Sequence, residues 1–312
     1  MQTVILLTKE GLSKAKAAYE NDLVPCKAKS ALFQAKKNGV TITAYRSGKV
    51  LFQGANHDRE SSRFQGFEKQ RTPGPSTVTS SKTKKKRPTL PQGFADWGVI
   101  GSDEVGAGAY FGPLTTAAVY VPRNKVDELR QMGFADSKNL TDDKIEQLAP
   151  YIIKNLPYHI VNLTPDFYNQ KQESGQNVVA MKALSHNFTH NQVLAKLDGL
   201  PRPDAILVDQ FVQGSSYYRY LTKNQQIRPD LPTYFITKGE SEHVAVAAAS
   251  VLARFVELKS MQELSAEAGV TLPIGAGKEA DRTAAKLMKQ KKDLRHFAKL
   301  HFANTKKAQA LL

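Results

Sequence analysis

The sequence predicts an α/β protein, with a mixed sheet flanked by helices and a small α+β domain in front of it. Three observations carry this. Apolar runs at Val99-Ile100, Leu114 to Val121 and Ala205 to Phe211 read as buried strands, and helical stretches lie between and after them. The first fifty residues instead show short strands around a tight turn, one of them strictly alternating, as antiparallel sheets do. From about Phe67 to Gly93 the hydrophobic pattern fades into Thr72-Pro73-Gly74-Pro75-Ser76 and the basic run Lys82 to Arg87. Such a composition makes a solvated tether. The expected layout is a small domain at 1–66, a basic flexible linker at 67–93 and a large domain at 94–312.

Taken in order, Val4 to Leu7 reads as a strand, and Lys9 to Leu23 as a helix with Leu12, Ala15, Tyr19 and Leu23 on one face, closed by Pro25. Ala31 to Lys36 and Val40 to Tyr45 flank Asn38-Gly39, the strongest short hairpin signal. Ser47-Gly48 then turns the chain into Lys49 to Gln53. Lys36, Lys37, Arg46 and Lys49 decorate this sheet, either as solvating charge or as a binding face. In the large domain Thr141 is placed to cap a helix starting at Asp142, Tyr158 to Leu163 reads as a strand, and Val178 to Leu197 as a long helix. Thr233 to Thr237 is strand-like. Val244 to Arg254 is small and apolar on nearly all sides, which predicts a helix packed closely under the sheet. A basic helix is expected from Arg282 to Phe297, followed by a helical or frayed tail.

The chain carries 44 Lys+Arg against 29 Asp+Glu, and 18 of those bases against 6 of those acids lie in residues 1–93. A basic excess concentrated there favours a polyanionic partner, chiefly nucleic acid, with a merely solubilising charge as the alternative. The single cysteine, Cys26, excludes an internal disulfide framework and a thiolate zinc cluster, and suits a reducing compartment. The apolar opening Met1 to Leu7 is short and lacks a charged start and a cleavage site, and no other stretch approaches a membrane span. A cytoplasmic protein without membrane contact is expected.

Val99-Ile100 leads into adjacent acids, Asp103 and Glu104, and then into a glycine-rich loop. Read alone, such a pair fits a solvated loop or a helix cap as well as a site. Burying it, however, asks for a metal ion or a basic partner. No Lys or Arg lies between Arg87 and Arg123, so a metal is the better local choice. A regular strand points neighbouring side chains to opposite faces, so the two acids are expected to share a site through a twist or kink eased by Gly101, Gly106 and Gly108. Asp209 closes a second buried strand, and Glu240 lies where a third meets a helix. Converging carboxylates repel unless divalent cations neutralise them, and two Mg²⁺ about 4 Å apart are the standard use of such a cluster in phosphodiester cleavage.

Other chemistries are not indicated. Gly106 to Gly112 misses the dinucleotide-binding spacing by one residue, and no P-loop, G-x-S-x-G elbow or catalytic-cysteine pattern is present, so no organic cofactor is expected. His186 and His190 stand at metal-ligand spacing, but Asn187 replaces the glutamate of the zinc-protease pattern, which favours packing or hydrogen bonding. Ser137-Lys138, in a loop before a helix, are well placed to grip phosphate.

With these stretches in hand the sequence resembles the type 2 ribonucleases H, and within them bacterial ribonuclease HIII. The matching motifs are Gly101-Ser102-Asp103-Glu104-Val105-Gly106 with Tyr110-Phe111-Gly112-Pro113, Asp136-Ser137-Lys138, Met181-Lys182-Ala183-Leu184, Val208-Asp209-Gln210-Phe211, Thr237-Lys238-Gly239-Glu240 with Ala247-Ala248-Ala249-Ser250, Leu272 to Gly277, and Lys299 to Thr305. The resemblance implies a ribonuclease H-like mixed five-stranded sheet and a TATA-binding-protein-like substrate-binding domain at the N-terminus. It also implies endonucleolytic cleavage of the RNA strand of an RNA/DNA hybrid with Mg²⁺ or Mn²⁺, leaving 5'-phosphate and 3'-hydroxyl ends, by a protein expected to be a monomer. The family's catalytic and metal-binding acids fall on Asp103, Glu104, Asp209 and Glu240, with Glu242 near the last. Gly106, Ala107 and Gly108 correspond to the loop whose backbone meets ribose 2'-hydroxyls, and Ser137 and Lys138 to a phosphate contact. Ribonuclease HII usually carries Arg where Ala107 stands, so that branch's reading of single ribonucleotides is not carried over. The rival readings are a junction resolvase or DNA nuclease with a similar acidic site, and a non-catalytic nucleic-acid-binding protein.

Overall fold

The computed structural model of the chain describes residues 2–26, 31–68, 90–134 and 140–312. Most of the expected linker, together with Ser137 and Lys138, lies outside the described residues. Those described form two compact units, one up to residue 68 and one from residue 90.

The first unit contains β1 (Gln2–Leu6), α1 (Lys9–Ala18), β2 (Leu23–Val24), β3 (Ala31–Lys37), β4 (Val40–Tyr45), β5 (Lys49–Gly54) and α2 (His57–Ser62). Its strands pair antiparallel in the order β1-β5-β4-β3-β2. At the β3–β4 turn Asn38 and Gly39 both take positive φ, 50° and 74°, as a primed hairpin turn requires. Alternation sends Val40, Ile42, Ala44, Val50 and Phe52 into a core shared with Ala15, Tyr19 and Phe64. Helix α1 ends at Ala18, short of the expected Leu23. A 3-10 turn at Glu20–Asp22 follows, and Leu23 pairs with Ala35 on the sheet edge instead of lying on the helix face. Lys37 fixes this turn through a 2.8 Å ion pair with Asp22.

In the second unit β6 (Val99–Val105) and β7 (Leu114–Val121) form a hairpin, followed by α3 (Val126–Gln131), α4 (Asp142–Asn155), β8 (Tyr158–Leu163), α5 (Pro165–Glu173) and α6 (Val178–Leu194). Then come β9 (Ala205–Asp209), α7 (Gly214–Lys223), β10 (Thr233–Ile236), α8 (Val244–Ala268), α9 (Lys278–Lys289), α10 (Leu294–Phe297) and α11 (Ala303–Gln309). The sheet has five strands in the order β10-β9-β6-β7-β8. β6, β9 and β10 run parallel, and β7 is antiparallel to both its neighbours, so the expected mixed sheet is present.

Helix α8 covers one face with α3 and α4, and α6 covers the other. The tight packing expected of the Ala-rich run is met at Gly101, where a Cβ would lie 2.2 Å from the Ala245 carbonyl carbon and the Val246 nitrogen. The expected helix from Arg282 to Phe297 is instead two, α9 and α10. Lys291 adopts φ 57° after α9, and the amides of Lys291 and Lys292 close the helix by bonding back to Met288 and Leu287. Asp293 then caps α10 by accepting from Arg295 N–H. A lysine in the left-handed position a glycine would normally announce hides this break from pattern reading. Among the described residues no helix is long and apolar enough to cross a membrane.

Candidate active site

The parallel register brings the acids to one end of the sheet. Ser102 of β6 pairs with Val208 of β9, so the next residue on each strand, Asp103 and Asp209, lies at the same level. Asp209 pairs in turn with Ile236 of β10. Beyond β10 the chain turns through Gly239–Ser241, and Gly239 N–H donates to Asp209 Oδ1 at 2.9 Å. That turn contains Glu240, which is buried, whereas Glu242 is exposed.

The β6–β7 ladder continues residue by residue through Asp103, Glu104 and Val105, with no shift of register. The kink expected to turn both acids one way is therefore absent, because the strand stays paired to its end. Asp103 and Glu104 are held from opposite sides of the strand end, yet the charge of Glu104 still reaches Asp103. Asp103 lies on the α8 side, accepting from Ser250 and from Glu104 N–H at 2.7 Å. Glu104 lies on the α6 side, where Lys182 pairs with its Oε1 and His186 Nε2 approaches its Oε2 at 2.8 Å. The basic partner absent from the local sequence thus comes from a helix about eighty residues away.

His186 and His190 do hydrogen-bond, as expected, but in support of the acids. Ser102 Oγ lies 2.8 Å from His186 Nδ1 and 2.7 Å from His190 Nε2. A carboxylate only accepts, so the proton between His186 and Glu104 sits on Nε2. The Ser102 hydroxyl thus ties the other side of the His186 ring to His190. This relay fixes the Glu104 carboxylate through three buried side chains. The signal was in the sequence, as three polar residues on faces otherwise reading as core: Ser102, His186 and His190.

Electrostatics separate the two neighbouring acids. Burial pushes the Asp103 carboxyl up to about 7, and the charges of Glu104 and Asp209 add to the rise against the Ser250 and amide hydrogen bonds. Burial also pushes Glu104 up, but His186 and Lys182 outweigh it and hold its carboxyl below the usual range. Burial, then the neighbouring His186, drives His190 well below the ordinary histidine value.

The loop after β6 requires glycine at its first position, since Gly106 has φ 82° and a Cβ there would lie 2.2 Å from the Pro113 carbonyl oxygen. Ala107 packs beside Leu114, Tyr168 and Met181, and Gly108 is exposed. Lys299, fully buried, donates to the carbonyls of Ala109 at 2.9 Å and Gly112 at 2.6 Å. With Lys299 N–H bonded to Tyr110 O and Gly112 N–H to Phe297 O, the C-terminal segment holds this loop in shape.

Among the described residues no group of three or more His, Cys, Asp or Glu is already arranged around a metal position. The donor chemistry nevertheless fits divalent ions. Asp103 carries the repulsion of two neighbouring carboxylates in a half-buried place, and a hard cation with oxygen ligands relieves that repulsion.

The Ribonuclease HII family profile matches residues 100–305, and one described as Domain of unknown function (DUF3378) matches residues 2–76. Ribonuclease HIII of Leuconostoc mesenteroides subsp. mesenteroides is 50% identical over 315 residues, covering 100% of each chain. Ribonuclease HIII of Bacillus subtilis is 44% identical, covering 99% of this chain and 97% of its own. Among solved structures, that of Bst-RNase HIII in complex with Mn²⁺ superposes with a TM-score of 0.67 at 38% identity, covering 100% of this chain and 99% of its own.

Proposed function

The chain belongs to the ribonuclease HIII family, and we propose that it cuts the RNA strand of RNA/DNA hybrids by hydrolysis at the acidic end of the second sheet. Its fold is the ribonuclease H-like mixed sheet flanked by helices, with an antiparallel-sheet domain in front. The observation that carries the reading is Asp103, half-buried beside the charges of Glu104 and Asp209 at the carboxyl ends of adjacent parallel strands.

Asp103, Glu104, Asp209 and Glu240 are the residues that would hold Mg²⁺ or Mn²⁺, two ions when substrate is present. Bound there, such ions would supply a water nucleophile at neutral pH and would neutralise the charge that builds on the phosphate; water adding to phosphorus as the bond to the 3'-oxygen breaks gives 5'-phosphate and 3'-hydroxyl ends. The chain's own groups do the positioning. Ser250 and the Glu104 amide orient Asp103, Gly239 N–H orients Asp209, and the Ser102-His186-His190 relay orients Glu104. The backbone of Gly106, Ala107 and Gly108, in the loop whose later residues Ala109 and Gly112 are held by Lys299, meets the minor groove, where a 2'-hydroxyl separates RNA from DNA. Ser137 and Lys138, outside the described residues, would hold a substrate phosphate.

The first unit supplies affinity that does not depend on base sequence. One face of its sheet packs on α1 and, through Thr3 and His57, meets α2, and the other carries Lys49 beside exposed Leu6 and, on β3, exposed Lys36. Labelled RNA/DNA, DNA/DNA and RNA/RNA duplexes incubated with Mg²⁺ or Mn²⁺ test the assignment. The hybrid alone should be cut, in its RNA strand. Cleavage of only the all-DNA duplex overturns the substrate. Asp103→Asn should keep hybrid binding and lose at least about a thousandfold in cleavage rate, and undiminished activity would make the acids structural.

A further inference from the structure

Glu104 has both carboxylate oxygens engaged from α6, by two groups of different character. His186 holds Oε2 from a ring that is 0% exposed and tied at its other nitrogen to Ser102, so it is a fixed part of the framework. Lys182 holds Oε1 from the end of a four-carbon stem, and its side chain is 13% exposed. Its ammonium also lies 4.2 Å over the ring of Phe211, two residues past Asp209, and that ring stacks on His186 at 5.1 Å. The cation therefore rests between the two acidic strand ends.

We propose that Lys182 is a built-in monovalent cation that competes with a divalent ion for Glu104 Oε1 and is displaced as the ion binds. The inference rests on reading Glu104 as a metal ligand. A desolvated carboxylate without a counter-charge is costly, and Lys182 offsets that cost in the free protein. One oxygen accommodates the ammonium or a divalent ion but not both at full strength, because the two cations repel at close range in a site of low dielectric. His186 stays on Oε2 throughout, so the carboxylate keeps its aim while its partner changes. Lys182 thereby weakens metal binding in the free protein and holds the acid in place until the ion arrives. A purely structural lysine predicts the opposite sign, since its removal would loosen Glu104 and weaken the ion.

The test is calorimetric titration of Mn²⁺ into the full chain without nucleic acid, for the unsubstituted protein, Lys182→Met, Lys182→Gln and Asp103→Asn, each checked by thermal melting. Glutamine removes the charge but keeps a polar group, so it serves if the methionine variant fails to fold. Both Lys182 variants are expected to bind Mn²⁺ about tenfold more tightly, within the usual range for coupled sites. Folded variants with unchanged or weaker Mn²⁺ affinity, beside a normal loss in Asp103→Asn, overturn the competition alone. Equal Mn²⁺ binding by the unsubstituted protein and Asp103→Asn overturns the metal site, and the competition with it.

Discussion

The two units each contain a five-stranded sheet, yet β1 leaves Val4 55% and Leu6 38% exposed while all eight residues of β7 are buried. The first sheet packs its helices on one side, so its other face stays open to solvent. The second is covered on both, by α8 with α3 and α4, and by α6. On the proposed reading the two do different work. An open sheet offers area and basic charge, which is enough to hold a polyanion whatever its sequence. Doubly covered parallel strands end in a place where burial moves Asp103 to about 7 and where each hydrogen bond to an acid counts for more than in water.

The largest effect that would break this contrast is Gly101→Ala. The added Cβ meets the backbone of α8 at 2.2 Å, and neither element can yield without unpacking the face it covers. A loss of about 3 kcal/mol is expected in urea unfolding of the second unit; a loss below about 0.5 kcal/mol would mean the covered face is loose.

Next comes the covered side of the first sheet, where Glu60 accepts from Tyr19 at 2.8 Å, Arg63 at 2.9 Å and Asn38 at 3.1 Å. Burial pushes its carboxyl up, but those three bonds outweigh it and hold it below the usual 4.5. Because the folded value is depressed, the stabilisation is fully present above the unfolded value and is lost as pH falls through the folded one. Glu60→Gln should therefore melt about 1–2 kcal/mol below the unsubstituted protein at pH 7. The gap should close on acidification below pH 4.5, and a gap independent of pH would remove the charge from the account.

The smallest effect on stability, and the most telling for the open face, belongs to Lys36→Gln combined with Lys49→Gln. Both side chains are exposed, so unfolding should shift by less than about 0.5 kcal/mol. Hybrid affinity should nevertheless fall, and the salt dependence of binding should flatten by about one unit of slope for each lysine that faces a phosphate. An unchanged slope would leave these lysines as solvating charge.

Much of the architecture was legible because its signals are local. Asn38-Gly39 announced the hairpin, Thr141 announced α4 with its hydroxyl accepting from Lys144 N–H, and the apolar run at 114–121 marked β7 residue for residue. The short helices α2 and α3 escaped notice, since a turn or two of helix has no period to read, and α5 and α7 were passed over as well, although α7 buries Tyr217 and Leu221 at helical spacing. The break between α9 and α10 escaped because Lys291, not glycine, takes the left-handed position.

The sequence by itself determined which acids end which strands, because strand periodicity and the chain order of Asp103, Glu104, Asp209 and Glu240 depend only on neighbours along the backbone. Tertiary structure alone decided that the parallel register sets Asp103 level with Asp209, that Glu104 is held from the α6 side, and that Lys182, His186, His190 and Ser250 become their partners. The reason is physical. Local pattern reports what one segment prefers, whereas the partner of a buried charge is whatever the packing of distant helices brings within hydrogen-bond reach.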